Sequence, residues 1–409
     1  MITMAIDNKD KKVLKSSIER EQNEVACSAE CEKIKGSKNL NVPHLRFPEF
    51  SGEWEMVSLQ DIATINPKSD PLQNTFIYID LEAVEKGELR KIQEIMREEA
   101  PSRAQRVIDN NDILFQCVRP YQKNNYIHRI LNTSNQQWVA STGYAQIRTT
   151  ELPNYIYHLL NTDEFNRKVM VRCTGSSYPA INSEDLATIH LYYTPDKKEQ
   201  LKISRLLDLL DKRIATQNKI IEKLQSLIKG IAQHCIKEST SGNTYVKLGD
   251  ICQITTGKLD ANAQVDNGIY PFFTCAEQPF KIDSFAFDTE ALLISGNGAN
   301  LGYINYYKGK FNAYQRTYVL DLFSENIQYI KWALKVLLPK RIAIEKSSSN
   351  TPYIVLSTLT DLRLPIPCKS KQSFIANLMQ SLERKLSNQI AQYDSYNYLK
   401  QYLLRQMFI

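Results

Sequence analysis

The sequence contains two copies of one pattern, and this duplication limits the possible folds more than any other feature. Val57–Ile65 reads VSLQDIATI and Val246–Ile254 reads VKLGDICQI, with Val, Leu, Asp, Ile and the final Ile in register. A second pair of anchors follows in the same order, SYPAI at Ser177–Ile181 and NTPYI at Asn350–Ile354. The copies lie about 170–190 residues apart, much farther than the units of a solenoid. The sequence therefore predicts a duplicated domain.

Each copy ends in a proline, Pro195 or Pro367, that precedes a long stretch with helical periodicity. Apolar residues recur there at steps of four and three, a heptad seam that Gln217 interrupts in the first copy. The seam positions are Leu210, Ile214, Gln217, Ile221, Leu224, Ile228, Ile231 and Cys235, then Leu382, Leu386, Ile390, Tyr393, Tyr396, Leu399 and Leu403. The two stripes can cover each other, and chain order makes such a pair antiparallel. The alternative is that each helix packs on its own domain.

The remaining sequence favours short strands, such as Ile108–Phe115 and Ala291–Ile294, or Tyr144–Arg148 and Thr317–Leu322, between Gly, Asn, Pro and Ser clusters. The expected fold class is α/β (α+β): two duplicated mixed α/β domains separated by two long antiparallel coiled-coil helices. The expected divisions are an N-terminal extension, partly helical or disordered, at 1–42, a first domain at 43–195, a central helix at 196–240, a second domain at 241–367 and a C-terminal helix at 368–409.

The net charge of +6 and the pI near 8.7 permit a polyanionic partner without requiring one. The eight cysteines form no C-x-x-C pair, and Cys27 and Cys31, one helical turn apart, are too few ligands for zinc. Unpaired cysteines, the lack of an apolar export signal and the lack of a membrane-length apolar run together predict a cytoplasmic protein with no membrane contact.

One glycine-rich segment, Ser295–Gly302, follows the apolar run Ala291–Ile294 and raises the possibility of a nucleotide-binding methyltransferase. Its spacing is G-x-G-x-x-x-G, and the corresponding segment of the first copy, Gln116–Pro120, contains no glycine. The sequence also lacks an Asn-Pro-Pro-Tyr-type amino-methylation motif and a Gly-Lys-Ser/Thr phosphate loop. We therefore predict no catalytic residues, no metal site and no cofactor in this chain.

Two sets of loops suit nucleic acid. Arg119–Tyr126, RPYQKNNY, combines cationic side chains for phosphates with amides that can pair with adenine. Hydroxyl-rich segments also precede Pro179 and Pro352, the prolines of the anchors SYPAI and NTPYI, which we call the anchor prolines. The alternative is that these are ordinary solvated loops. The candidate DNA-binding residues are Arg119, Tyr121, Gln122, Lys123, Asn124, Asn125, Ser176, Ser177, Tyr178, Asn297, Asn300, Tyr314, Gln315, Arg316, Lys346, Ser348 and Asn350.

The phrase VPHLRFPEFSGEW at Val42–Trp54, followed by VSLQDI at Val57–Ile62, resembles the opening of specificity (S) subunits of type I restriction-modification systems. The plan of domain, helix, domain, helix is similar to that family across about residues 42–409. Residues 1–41 lie outside the resemblance. The resemblance identifies no DNA target, because recognition domains vary widely within such families.

The resemblance implies that each globular domain is a target-recognition domain that reads one half of a bipartite site in double-stranded DNA. It implies that the helices set the spacing and dock two modification (M) subunits, which carry S-adenosylmethionine and methylate adenine. Restriction (R) subunits would supply cleavage driven by ATP and Mg²⁺, and this chain would be non-catalytic. Two alternatives stay open: a methyltransferase fused to its own reader, and a structural adaptor that binds proteins.

Overall fold

The computed structural model describes residues 41–130, 136–240, 244–346 and 353–409. Almost all of the predicted extension at 1–42, including Cys27 and Cys31, lies outside the described residues. The chain divides into two compact units. The first unit holds the described residues up to Asn218 together with Ala391–Ile409, and the second holds Lys219–Ile390. Each unit thus combines one sheet region with part of each long helix, and the domain boundaries expected from the sequence stay a prediction.

The described residues of the first unit form twelve short strands and four short α-helices before the first long helix. In chain order these are β1 (Glu55–Ser58), α1 (Leu59–Ile62), β2 (Ala63–Ile65), β3 (Thr75–Ile79), β4 (Val84–Glu85), β5 (Glu88–Leu89), β6 (Gln93–Met96), β7 (Ala104–Ile108), β8 (Ile113–Gln116), β9 (Tyr126–Ile127), β10 (Gln137–Ser141), β11 (Tyr144–Thr149), α2 (Pro153–Leu160), α3 (Asp163–Arg172), α4 (Ser183–Ala187) and β12 (His190–Tyr193). Two four-stranded sheets, β6-β3-β10-β7 and β2-β11-β8-β9, form its centre.

Strand β8 runs between two apolar clusters, which explains its three consecutive apolar residues, Ile113–Phe115. Ile113 and Phe115 belong to a cluster that includes α2 and α3, while Leu114 faces a second cluster between the two sheets. Alternate residues of a strand point to opposite faces, so a strand covered on both faces is apolar throughout. This burial holds the end of β8, and the loop that follows it, in a fixed place.

The second unit repeats this plan with a larger sheet. Its elements after the first long helix are β13 (Thr244–Lys247), β14 (Gln253–Thr256), β15 (Tyr270–Phe273), β16 (Phe280–Ile282), β17 (Phe287–Ser295), β18 (Ile304–Ala313), β19 (Thr317–Asp321), α6 (Ile327–Lys346), α7 (Leu356–Thr360) and β20 (Arg363–Ile366). Six strands pair in the order β14-β19-β17-β18-β15-β16. Strand β17 is central, and Ala291 and Leu293 pack in its core against Phe311 and Val319.

The duplication predicted from the sequence is confirmed in the strand register. Strand β1 pairs antiparallel with β12, opposing Val57 to Leu191, and β13 pairs in the same way with β20, opposing Val246 to Leu364. The contact two residues further along the chain repeats as well. The Leu59 amide donates to the Ile189 carbonyl at 3.0 Å, and the Leu248 amide to the Leu362 carbonyl at 2.9 Å.

Two long helices, α5 (Lys197–Thr240) and α8 (Lys369–Met407), complete the fold. In the first unit Asp211 pairs with Lys400 at 2.5 Å, and Arg213 Nε donates to the Tyr396 hydroxyl at 3.3 Å. In the second unit Lys371 donates to the carbonyl of Glu238 at 3.2 Å. From Asp211 through Arg213 to Glu238 on α5, the partner on α8 moves back from Lys400 through Tyr396 to Lys371. The segments therefore pair antiparallel. The predicted fold class is confirmed.

The predicted heptad seam needs two corrections. Beyond Ile228 the buried apolar residues of α5 are Ala232 and Ile236, because a straight helix of 3.6 residues per turn drifts away from a 3.5-residue repeat. Ile231 and Cys235, the predicted seam positions, are only partly buried. On α8, Leu399 is 44% exposed, while Leu403 and Leu404 are buried against the first sheet region.

Candidate nucleic-acid interface

The loop after β8 is held in a defined and unusual backbone conformation. Arg119 and Lys123 both adopt left-handed backbone angles, with φ of 54° and 52°, on either side of the 3₁₀ turn Pro120–Gln122. Non-glycine residues seldom adopt this region, so the surrounding structure must hold them there. The Arg119 amide donates to the Pro179 carbonyl at 2.7 Å, which ties the loop to the hydroxyl-rich segment before the anchor proline.

Arg119 and Tyr178 form a stacked pair at the surface. The guanidinium carbon lies 4.3 Å from the ring centre of Tyr178, which is 63% exposed, and Tyr121 is 51% exposed on the same loop as Arg119. Arg119 has no carboxylate partner in the part of the chain that the structure describes. A planar guanidinium on an aromatic face, with no carboxylate beside it, suits a phosphate or a guanine edge.

The other polar residues of this loop divide into surface and structural groups. Gln122 is exposed, and its Oε1 accepts a hydrogen bond from Gln116 Nε2 at 3.0 Å. Asn124 is partly buried, and its Oδ1 accepts from the backbone amide of Lys86 at 3.0 Å. Lys123 pairs with Asp163 at 2.7 Å, so its charge is compensated within the protein and it is a weaker phosphate ligand than expected.

The structure places Asn125 inside the protein, contrary to the sequence expectation that it contacts DNA. It is 2% exposed, its Oδ1 accepts from the Gln116 amide at 2.8 Å, and its Nδ2 donates to Asn161 at 3.1 Å. Both amide atoms are used inside the protein, so Asn125 shapes the loop and cannot face DNA in this conformation. The sequence pattern could not separate Asn125 from Asn124, because burial depends on residues distant in the chain.

Ser176, Ser177 and Tyr178 form the tip of a tight hairpin. Thr174 and Ala180 exchange two backbone hydrogen bonds of 2.9 Å, and all three tip residues are exposed. The structure thus brings Ser176–Tyr178 next to Arg119, although about sixty residues separate them in sequence. A small, exposed tip of this kind allows close approach to a sugar–phosphate backbone.

Arg106 is a candidate that sequence reasoning missed. It lies on β7, and its Nε is buried with no hydrogen-bond partner in the described ranges. Burial lowers the pKa of Arg106, and the nearby titratable group is the thiol of Cys117, which begins the loop after β8. Leaving a buried N–H donor unsatisfied is costly, so the Nε of this partly buried side chain suits an acceptor from outside the chain. In the sequence, Arg106 is one arginine among many in a polar stretch.

In the second copy, the glycine-rich segment is the tip of a β-hairpin. Ser295–Gly302 connects β17 directly to the antiparallel β18, and Gly298 and Gly302 take φ of 79° and 80°. A nucleotide-binding glycine loop leads from a strand into a helix, whose N-terminus then holds the phosphate. Here a strand follows the loop, so the geometry does not favour the methyltransferase interpretation of this segment.

Cys275 joins the candidate residues of the second copy into one cluster. Its thiol contacts Asn297 Oδ1 at 3.0 Å and the Arg316 carbonyl at 3.6 Å, and its carbonyl accepts from Asn300 Nδ2 at 3.0 Å. Gly296 also contacts this cluster, because its amide donates to the Arg316 carbonyl at 2.8 Å. Gln315 and Arg316 are exposed at its surface, and Tyr314 is partly buried.

Three further candidates cannot be placed. Ser348 and Asn350 lie outside the described residues, and Lys346 is described only as the last residue of α6, without its side chain. These residues stay sequence-based expectations.

The two candidate surfaces, which we call the reading surfaces, occupy equivalent positions in the duplicated fold. In the first copy the Ile181 amide donates to the Cys117 carbonyl at 3.1 Å, and in the second the Ile354 amide donates to the Gly296 carbonyl at 2.8 Å. Each bond links the residue after a buried strand to the segment after an anchor proline. The equivalence is one of backbone, since the exposed side chains differ between the copies.

The chemistry of both surfaces is that of hydrogen bonding and charge. Burial raises the pKa of the Cys117 thiol to about 12, which removes it as a nucleophile at neutral pH. Among the residues that the structure covers, no cluster of His, Cys, Asp and Glu could hold a metal ion. Within those same ranges, no helix is both long and apolar enough to span a membrane.

The fold and these surfaces define a duplicated protein in which two sheet regions present polar loops and are joined by long helices. Residues 51–226 and 240–393 both match the family model described as the type I restriction modification DNA specificity domain. The matches cover well over half of the chain, so the chain belongs to that family.

Individual relatives agree with this assignment. The chain is 44% identical over 137 residues to the Escherichia coli type I restriction enzyme EcoDI specificity subunit, and this stretch covers 34% of the chain and only 30% of that protein. Its fold is similar to the crystal structure of the type I restriction-modification S subunit from Mycoplasma genitalium, with a TM-score of 0.62 at 17% identity over 90% of this chain and 99% of that one. A chain from a structure on complex assembly and conformational transition of the type I R-M system gives a TM-score of 0.54 at 21% identity, covering 86% and 96%.

Proposed function

We propose that this chain is the DNA sequence-reading subunit of a type I restriction-modification complex. In this proposal each sheet region reads one half of a bipartite site in double-stranded DNA. The observation that carries the proposal is the placement of polar loops at equivalent backbone positions in two copies, fixed by the bonds from Ile181 to Cys117 and from Ile354 to Gly296. Two copies of one reading surface suit a target with two half-sites.

The reading residues are assigned from their place on the two surfaces, where each is exposed or only partly buried. In the first copy these are Arg119, Tyr121, Gln122, Ser176, Ser177 and Tyr178, with Arg106 on β7 near Cys117. In the second they are Asn297, Asn300, Tyr314, Gln315 and Arg316. Lys123, Asn124, Asn297 and Asn300 each use a polar atom within the protein, so they would contact DNA only through the atoms that remain. Arginine and amide side chains would read base edges, and hydroxyls and aromatic rings would position the backbone.

The partners follow from family membership, and the similarity in fold to a chain of an assembled type I R-M system supports them. We propose that α5 and α8 set the gap between the half-sites and dock two modification subunits, which bring S-adenosylmethionine. Restriction subunits would bring ATP and Mg²⁺. The chain itself is proposed to hold no cofactor and no catalytic residue, and its place of action is proposed to be the cytoplasm.

Reconstitution with its modification subunits tests this function. The complex is expected to methylate a two-part DNA sequence, with binding that weakens steeply as salt rises. If no salt-sensitive DNA binding were found even with the modification subunits present, a protein-binding adaptor would be favoured. Methyl transfer from labelled S-adenosylmethionine by the purified chain alone would favour a self-contained methyltransferase.

A further inference from the structure

A buried glutamine stands one turn into the first long helix and joins it to the sheet region before it. The Gln200 side chain is fully buried, and its Nε2 donates to Glu151 Oε2 at 2.6 Å and to the Thr194 carbonyl at 2.8 Å. Its Oε1 accepts from the Leu152 amide at 3.2 Å, and Lys197 also donates to Glu151. The amide thus connects the start of α5 to the residues that lead into α2.

The second copy repeats this arrangement with one difference: the backbone carbonyl is that of Pro367, whereas the first copy uses Thr194, the residue before Pro195. Gln372 is 1% exposed, and its Nε2 donates to Glu325 Oε2 at 2.6 Å and to the Pro367 carbonyl at 2.9 Å. Its Oε1 accepts from the Asn326 amide at 3.0 Å, and Lys369 donates to Glu325 at 2.7 Å. Here the amide connects the start of α8 to the residues that lead into α6. We call each Gln–Glu–Lys set a junction clamp.

A buried tyrosine accompanies both junction clamps. Tyr155 of α2 and Tyr329 of α6 are fully buried. The Tyr155 hydroxyl accepts from the Thr194 amide at 3.3 Å, and the Tyr329 hydroxyl donates to the Pro365 carbonyl at 2.6 Å. The exposed reading residues differ between the copies, while a buried glutamine, its glutamate and lysine partners and a buried tyrosine recur in both. The tyrosine hydroxyl accepts a hydrogen bond in the first copy and donates one in the second.

Stability alone does not account for a polar junction. An apolar side chain of similar volume often replaces a buried polar group at little cost, because desolvation offsets much of what the hydrogen bonds contribute. Apolar packing tolerates several orientations, whereas a fully bonded amide and carboxylate permit one. Each junction clamp therefore sets the direction in which a long helix leaves its sheet region.

From this duplicated geometry we infer that Gln200 and Gln372 are positioning residues that restrict the gap the subunit accepts between its two half-sites. The inference rests on the proposed function. It assigns the glutamines no contact with DNA: they act through the helices, while the loops read the bases.

The test uses the full chain reconstituted with its modification subunits. Gln200→Leu and Gln372→Leu are each compared with the wild-type complex on DNAs that hold both half-sites and vary the gap by single base pairs. Both half-site sequences should be retained, and discrimination against a gap one base pair too long or too short should fall about tenfold, which corresponds to ~1.4 kcal/mol. Glu151→Gln and Glu325→Gln keep the side-chain volume and serve as a second test in case a leucine variant folds poorly. They should likewise reduce the discrimination between gap lengths.

Val139→Ala is the matched control, because Val139 is fully buried in the first sheet region away from the junction. It should lower the melting temperature and total methylation at every gap while leaving the preferred gap unchanged. If the glutamine and glutamate variants all behaved like Val139→Ala, or like the wild type, the inference would be overturned. A wild-type complex without any two-part specificity would instead contradict the proposed function.

Discussion

The guanidinium carbon of Arg119 lies 4.3 Å from the centre of the Tyr178 ring. The two residues belong to loops far apart in the sequence, and the bond from the Arg119 amide to the Pro179 carbonyl fixes their approach. The ring lies against the guanidinium of Arg119, which is only partly buried. The pair is thus ordered before any ligand binds, which reduces the conformational entropy lost on binding.

Removing either side of this pair should weaken reading of one half-site. Arg119→Ala is expected to reduce affinity by ~1–3 kcal/mol and to relax base preference in that half only. Tyr178→Phe keeps the stacking face and should bind nearly as well as the wild type, whereas Tyr178→Ala should resemble Arg119→Ala. Competition binding of the reconstituted complex with DNAs altered in one half-site gives the readout. Arg167→Ala is the control, because Arg167 is exposed and paired with Glu164 at 2.8 Å.

Arg106 should show opposite effects on folding and on binding. Arg106→Leu removes a partly buried guanidinium whose Nε is buried with no partner among the described residues, so we expect the first unit to become more stable. The same change should weaken DNA binding and lower the slope of log affinity against log salt by ~1, as the loss of one phosphate contact would. Urea unfolding and salt titrations measure the two effects. A variant that is more stable and keeps the wild-type salt slope would remove Arg106 from the interface.

Two glycines should respond in opposite ways to alanine. A Cβ at Gly296 would lie 2.5 Å from the Arg316 carbonyl oxygen, so Gly296→Ala must displace the second reading surface and should abolish recognition of its half-site. Gly230 lies within α5 with open space around it, and Gly230→Ala should stabilise the helix by roughly 0.5–1 kcal/mol with DNA reading intact. Melting temperatures and methylation maps of both variants check this contrast. Normal maps for Gly296→Ala would contradict the arrangement of that surface.

His128 should make the first unit sensitive to acid. It is fully buried between the rings of Tyr126 and Trp138, and burial lowers its pKa from 6.5 to about 4 despite the charges of Asp112 and Asp109. The unfolded chain takes up this proton first, so stability should fall as pH drops from about 6.5 to about 4, by up to ~3 kcal/mol in total.

Replacing His128 with phenylalanine tests that dependence. The ring volume is kept and the titrating nitrogens are removed, so the stability lost over this pH range should shrink. Denaturant unfolding followed by tryptophan fluorescence at several pH values measures it. His44→Phe, at an exposed position, should keep the wild-type slope. An unchanged slope in His128→Phe would show that another group carries the acid sensitivity.

The sequence predicted the architecture well because its signals are local and duplicated. The anchors at Val57–Ile65 and Val246–Ile254 lie at matching strand pairs, and the long periodic stretches are the helices α5 and α8. The predicted seam is wrong toward the ends of the helices, where Leu399 is exposed and Ala232 is the buried residue in place of Ile231. Helical drift and packing on the sheet regions decide those positions, and neither can be read from spacing alone.

The candidate site was predicted less well, because solvent exposure is a property of the tertiary structure. The loop after β8 was found from its composition, yet that composition could not show that Asn125 is buried while Tyr121 is exposed. Arg106 carries no motif and comes near the loop only through the pairing of β7 with β10. The junction clamps were visible only as a recurrent glutamine three residues after a lysine, a pattern too common to predict a contact.

The most direct test of the central claim is a methylation-site map of the reconstituted complex in which one reading surface at a time is altered. Combined alanine substitution of Arg119, Gln122 and Tyr178 should degrade or change one half of the methylated sequence and leave the other half and the gap intact. Combined substitution of Asn297, Gln315 and Arg316 should do the reverse. If either set altered both halves, or neither, the two sheet regions would not be independent readers of a bipartite site.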